Sequence, residues 1–210
     1  MIQAVIFDLD GVIVSTDELH YKAWKYIADQ EGIYFDHVIN HRLRGVSRMD
    51  SLNIILEKAS KPYTEEEKLK LATIKNDYYV TLLASLTPKD ILEDVNLVID
   101  TLKQKGIKIA IGSSSKNTKK ILKQIGLDQT FDEIADGNDV TRSKPEPDVF
   151  LKAAKKLGID PENCAVVEDA EAGILAAKQA KMTAIAVSDA RKSHLADYRF
   201  EQLRKMLALF

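Results

Sequence analysis

The stretch Ala4-Val5-Ile6-Phe7-Asp8-Leu9-Asp10-Gly11-Val12 decides how this chain is read. Ala4 to Phe7 is apolar at every position, which suits a strand in the middle of a parallel sheet covered by helices on both faces. The strand then stops abruptly in Asp-Leu-Asp-Gly. Two carboxylates this close repel each other, and the repulsion is tolerated most easily when a cation sits between them or one of them holds a proton. An ordinary turn is the competing explanation, because Asp is a common turn and cap residue. The rest of the sequence has to decide between the two.

Downstream, from about Thr16 to Leu86, helical patterns run without a convincing strand. Leu19, Ala23, Trp24 and Ile27 have helical spacing, with Gly32 as a stop. Arg48 to Ala59 repeats the pattern through Leu52, Ile55 and Leu56. Thr64 and Glu67 then stand in capping-box spacing ahead of a third, longer helix containing Leu69, Ala72, Tyr79, Leu82 and Leu83. Beyond Pro88, helices and strands alternate. Strands are expected at Lys108–Gly112, Glu133–Ala135, Ala165–Glu168 and Ala184–Val187, with helices near 95–105, 119–125, 148–157 and 172–180. Ala196 to Arg199 is expected as a short last strand.

Such alternation implies right-handed βαβ units and a doubly wound parallel sheet, an α/β, Rossmann-like core. The chain is therefore expected to leave the sheet after its first strand, build a helical cap from residues 16–86, and return. Residues 1–15 and 87–210 form the core domain in this reading, with hinges at Ser15-Thr16 and at Ser85 to Pro88.

In an open α/β sheet, ligands bind beyond the carboxyl ends of the strands, so the strand ends are where chemistry is read. The first ends in Asp8 and Asp10, the second in Ser113-Ser114-Ser115-Lys116-Asn117, and the fourth in Glu168-Asp169, while Lys144 follows the third. Each taken alone has a plain alternative as a helix cap or a solvated loop. Together on one edge they make a phosphoryl-transfer site. Serines that open a helix supply hydroxyls and free N–H groups to an anion. Magnesium wants oxygen ligands, and Asp8, Asp169, Glu168, a main-chain carbonyl near Asp10 and a phosphate oxygen would suffice. Asp8 would then attack phosphorus while Ser113 and Lys144 hold the equatorial oxygens, and Asp10 would move the proton of the leaving or attacking hydroxyl.

Other phosphate and nucleophile signatures are missing. There is no GxxxxGK[ST], no GxGxxG after the first strand and no GxSxG, and four scattered histidines make no zinc pattern. Thirty Lys and Arg against 32 Asp and Glu leave a formal charge of −2, so no global basic field recruits nucleic acid or an anionic membrane. No segment approaches a membrane span, and Met1 leads directly into a strand, so a cytoplasmic protein is expected. The single cysteine, Cys164, lies in an apolar run and is expected to be buried and inert.

These motifs resemble those of the haloacid dehalogenase superfamily: FDLDGV, the serine at Ser113, Lys144 and the Glu168-Asp169 pair. TDELHYKAW, LRGVSR, KNDYYV and SSSKN are further similar to its sugar-phosphate mutase branch, and the likeness loosens after about Ser188. The resemblance implies Asp8 as a nucleophile that becomes a phosphoaspartate and Asp10 as general acid and base. It implies Ser113, Ser114 and Lys144 as ligands of the transferring group, and magnesium held by Asp8, Asp10 and Asp169 with Glu168 beside them.

In the cap it implies Thr16 and His20 as the pair that couples closure to Asp10. Trp24, Arg44, Gly45, Val46, Ser47, Arg48 and Lys75 would contact the sugar or its distal phosphate, a site completed by Ser115, Lys116 and Asn117. Arg44 stands where that branch commonly has lysine, Ser15 where aspartate is familiar, and Ser114 where alanine occurs. The spacing of His20 and Trp24 fits core packing as well as a ligand face, and Arg48 fits a solvated helix start.

The implied activity is interconversion of β-D-glucose 1-phosphate and D-glucose 6-phosphate through a bound bisphosphate, by a monomer acting on a small sugar phosphate, with a closing cap to exclude water. A magnesium-dependent phosphatase using the same residues is the nearest rival. A signalling receiver is the rival from another class, and it is disfavoured by the early position of Asp8 and by the inserted helices.

Overall fold

The computed structural model describes residues 1–44 and 46–210. They divide into two units, Thr16–Leu86 and the combination of Met1–Ser15 with Thr87–Phe210.

The Thr16–Leu86 unit contains α1 (Asp17–Gln30), α2 (His37–His41), α3 (Arg48–Leu56) and α4 (Glu65–Leu83). Asp17 and Glu18 sit in the first turn of α1, where negative charge opposes the positive end of the helix dipole. α4 carries the anticipated capping box. Glu67 N–H donates to Thr64 Oγ1 at 3.2 Å, and Thr64 N–H donates back to Glu67 Oε2 at 2.7 Å. The unit's interior is built from Trp24, Ile27, Ala28, Ile33, Phe35, Leu52, Ile55 and Leu71. Fully burying each large side chain among these contributes about 1.5–3 kcal/mol. α2 was not expected from the sequence. Five residues are too few to display a period, and its cue is Asp36, whose carboxylate accepts from Ile39 N–H at 2.9 Å. α3 stops at Leu56 instead of running to Ala59.

In the other unit, β1 (Ala4–Phe7) is buried at every position and lies between β2 (Lys108–Gly112) and β4 (Cys164–Glu168). A strand covered on both faces and paired on both edges can be apolar throughout, and that explains its composition. β3 (Glu133–Ala135) pairs outside β2, while β5 (Thr183–Ala186) and β6 (Tyr198–Arg199) continue beyond β4. The result is a six-stranded parallel sheet in the order β3-β2-β1-β4-β5-β6, the doubly wound arrangement expected from the alternating pattern.

The crossovers run through α5 (Val95–Gln104), α6 (Thr118–Gln124), α7 (Asp148–Leu157) and α8 (Glu171–Gln179). Ile6, Ala110, Val166 and Ala184 form one sheet face and pack with Phe150 and Ala153 of α7 and Ile174 and Ala177 of α8. Cys164 lies in the same cluster. Burial, helped by the Asp160 charge, pushes its thiol up to about 11, so it is inert at neutral pH.

Candidate active site

The strand order reverses its direction of growth at β1 and β4, so the crevice beyond their carboxyl ends is the natural ligand site of this sheet. Asp8 occupies it. Its N–H donates to the Val167 carbonyl at 2.9 Å, which extends the β1–β4 ladder by one residue and holds Asp8 beside the end of β4. Carboxylate oxygens of Asp8, Glu168 and Asp169 all lie within 4.8 Å of one another. Lys144 Nζ donates to Asp8 Oδ1 at 2.6 Å and also to Glu168 Oε1. Its ammonium lies 4.6 Å from the centre of the Phe150 ring.

The charges in this cluster act strongly on each other. Burial pushes the Glu168 and Asp169 carboxyls well above the ordinary carboxylate range, and the charge of Asp8 adds to both shifts. Lys144 opposes the rise at both positions. Burial alone would lower the pKa of the Lys144 ammonium, but Asp8 and Glu168 outweigh it and the net shift is upward. The lysine is therefore a fixed positive charge.

Glu168 is held by backbone. Its Oε2 accepts the N–H groups of Asp169 at 3.0 Å and Ala170 at 3.1 Å, at the entrance to α8. A Cβ on Gly173 would fall inside contact distance of the Glu168 carboxylate, so that glycine leaves the space in which the carboxylate lies.

Three mutually close hard-oxygen donors fit a divalent cation of the magnesium or calcium kind. The carboxylate of Asp10 is not one of the three, which leaves the main-chain carbonyl near Asp10 as the contribution expected from that turn. Asp10 belongs to a tight turn in which it bridges to Val14, and its charge reaches Asp169.

The loop after β2 carries the serines. Ser113 is buried and accepts Ser115 N–H on its hydroxyl at 3.2 Å. Ser115 Oγ accepts Asn117 N–H at 3.2 Å, and Thr118 Oγ1 donates to the Ser115 carbonyl at 2.9 Å. The Ser114 hydroxyl is buried with no hydrogen-bond partner among the described residues. Lys116 is exposed and Asn117 buried.

The Thr16–Leu86 unit gathers a second group. Lys75 Nζ lies 2.7 Å from His20 Nδ1 and over the rings of Trp24 and Tyr79, at 4.6 and 4.7 Å. Tyr79 stacks on His20, its ring centre 4.1 Å away, and its hydroxyl donates to Thr16 Oγ1 at 3.0 Å. Thr16, His20, Trp24 and Lys75 are thus brought together. Arg48 is turned toward α4, donating to Asn76 Oδ1 at 2.8 Å, and burial lowers its pKa, so it is not a solvated helix start. Arg44 donates to Asp17 Oδ2 at 2.7 Å. The Ser47 hydroxyl caps α3, accepting from Asp50 N–H at 3.2 Å. Val46 is half-buried, and Gly45 lies outside the described residues.

A sequence model of the haloacid dehalogenase-like hydrolases matches residues 2–181. The chain belongs to the haloacid dehalogenase-like hydrolase family. It is 46% identical over 187 residues to a β-phosphoglucomutase of Bacillus subtilis strain 168, covering 88% of this chain and 83% of that protein. A phosphorylated carbohydrates phosphatase of Thermotoga maritima is 30% identical over 181 residues, covering 85% and 81%. Among solved structures, a β-phosphoglucomutase from Clostridium difficile superposes with a TM-score of 0.91 at 40% identity, covering 98% of this chain and 93% of that one.

Some residues of these two groups were not read from the sequence. Tyr79 had a cue, since it lies four residues from Lys75 on the same helix and shares its face. Asn76 adjoins Lys75 in the same phrase. Phe150, Gly173 and Asp17 had none. Phe150 and Asp17 matter only through residues far away in sequence, and an in-helix glycine reads as a mere weakness.

Proposed function

We propose that this chain is a sugar-phosphate mutase interconverting β-D-glucose 1-phosphate and D-glucose 6-phosphate. The observation that carries the reading is the 46% identity to a protein named β-phosphoglucomutase over 88% of the chain, against 30% to the phosphatase. The buried carboxylate and lysine set around Asp8 supplies chemistry consistent with it.

In this mechanism Asp8 is the nucleophile. The free hydroxyl of the bound sugar monophosphate attacks the phosphorus of phosphorylated Asp8 and gives its proton to Asp10, the bond from phosphorus to Asp8 breaks, and a bound bisphosphate forms. After the bisphosphate turns over, the Asp8 carboxylate attacks its other phosphoryl group, the bond from that phosphorus to the sugar oxygen breaks, and Asp10 returns the proton to that oxygen. Lys144, Ser113 and Ser114 hold the phosphoryl oxygens on which charge builds. Lys144 also orients Asp8 through its 2.6 Å contact. Magnesium bound by Asp8, Glu168 and Asp169 would screen the negative charge of the phosphate from these carboxylates. Lys116 and Asn117 take the phosphate that is not being transferred, and Ser115 supports that loop. In the helical unit, Thr16, His20, Trp24, Arg44, Gly45, Val46, Ser47, Arg48 and Lys75 are assigned to sugar-phosphate recognition, Arg48 and Lys75 by their charge.

The test is product partition. With β-glucose 1-phosphate, magnesium and a trace of β-glucose 1,6-bisphosphate, glucose 6-phosphate should form at least about ten times faster than inorganic phosphate, a difference in barrier of about 1.4 kcal/mol. Phosphate release that outpaces glucose 6-phosphate would assign the chain to the phosphatases instead.

A further inference from the structure

The loop that carries Lys116 and Asn117 is stitched to the turn that follows β3. Ser113 N–H donates to the Ala135 carbonyl at 3.1 Å, Gly137 N–H to the Ser115 carbonyl at 3.2 Å, and Asn138 Nδ2 to the Lys116 carbonyl at 3.0 Å. The contacts advance in register along both segments, with Ala135, Gly137 and Asn138 holding successive parts of the loop. Gly137 is part of the fit, because a Cβ there would collide with the Ser114 carbonyl and press on the Lys116 side chain.

The turn is itself held rigid. The Asp136 carboxylate accepts Asn138 N–H at 2.8 Å and Asn138 Nδ2 at 3.1 Å, which aims the amide. Asp139 Oδ2 accepts Asp136 N–H at 3.0 Å and the Lys156 ammonium at 2.9 Å, and Lys156 also donates to the Ile134 carbonyl at 2.5 Å. Lys156 lies on α7, so the turn is braced by a helix of the core. Asp136 is buried, and Asn138 is exposed.

We infer that the turn Asp136–Asp139 is a positioning element for the anion-binding loop, with Asn138 the residue that sets where the Lys116 backbone lies. The inference rests on the reading above that Lys116 and Asn117 meet the non-transferring phosphate. Asn138 touches no reacting atom; it acts through Lys116. Its removal should therefore weaken capture of a sugar phosphate more than the chemistry at Asp8.

In Asn138→Ala, the KM for β-glucose 1-phosphate should rise about three- to tenfold, the effect of losing one neutral hydrogen bond. Phosphorylation of Asp8 by acetyl phosphate, which has no distal phosphate to anchor, should change by less than about twofold, since it draws none of its binding from the repositioned loop. Amide hydrogen exchange at Asn117 and Gly137 should quicken in the variant, a readout independent of turnover. Equal losses in both reactions would mean a general structural defect and would overturn the inference. So would an unchanged KM with unchanged exchange. If the unsubstituted enzyme makes no glucose 6-phosphate, the mutase reading fails, and the exchange rates alone then decide whether Asn138 positions the loop.

Discussion

His20 sits 2.7 Å from the Lys75 ammonium, which has only protons to offer, so His20 Nδ1 must be the acceptor and the ring neutral. Burial lowers its pKa well below 6.5, and the charges of Lys75 and Arg48 push in the same direction. An unfolded chain would take up a proton near pH 6.5 that the folded protein refuses, so stability falls as pH drops below that value. Between pH 7.5 and 5.5 the fold should therefore lose stability through this group. Urea unfolding followed through Trp24 fluorescence should show that loss, and His20→Asn should remove it. An equal slope in the variant would mean that other groups carry the pH dependence. The pairing of His20 with Lys75 joins residues 55 apart in the chain, and nothing in either local sequence announces it.

At the scale of elements, α8 begins where β4 ends, and the junction is shaped by a carboxylate lying against a helix. Gly173 lies in the first turn of α8, and its lack of a side chain makes room for Glu168. Glycine is otherwise a poor helix residue, costing about 0.5–1 kcal/mol relative to alanine. Gly173→Ala should therefore lower the melting temperature in the native background by displacing Glu168. In a Glu168→Ala background it should raise stability by up to about 1 kcal/mol, because only the helix gain remains. The same sign in both backgrounds would show that the glycine has nothing to do with the carboxylate. Elements with strong local cues were readable, such as α4 with Thr64 and Glu67, or the wholly apolar β1. The short α2 was not, because a single cap residue is a weak cue without a repeating face behind it.

At the scale of the whole molecule, the two-sided sheet gathers like charges where its order reverses. Asp8, Glu168 and Asp169 pull against the folded state unless Lys144 or a cation balances them. Added magnesium should raise the melting temperature of the sheet-containing unit. At about a hundred times its dissociation constant the gain is about 2.7 kcal/mol, roughly 5–10 °C for a protein of this size. Asp169→Asn removes both a ligand and a repelling charge, so it should start from a higher melting temperature in the absence of metal and gain much less from magnesium. An undiminished magnesium shift in that variant, followed by calorimetry, would place the cation elsewhere.

The order of elements, the parallel sheet and the motifs at its strand ends were determined by the sequence itself. Each depends on energies between near neighbours: period-two or period-3.6 burial, a cap bonding three residues on, a turn following a strand. The convergence of those strand ends required the assembled sheet. Lys144 reaches Asp8 across 136 residues and Tyr79 reaches Thr16 across 63, distances over which only packing of the whole chain fixes a hydrogen bond. Packing alone also decided that Asp10 stays out of the carboxylate trio and that Arg48 turns toward Asn76, since both depend on backbone direction at turns and helix starts set by contacts remote in sequence.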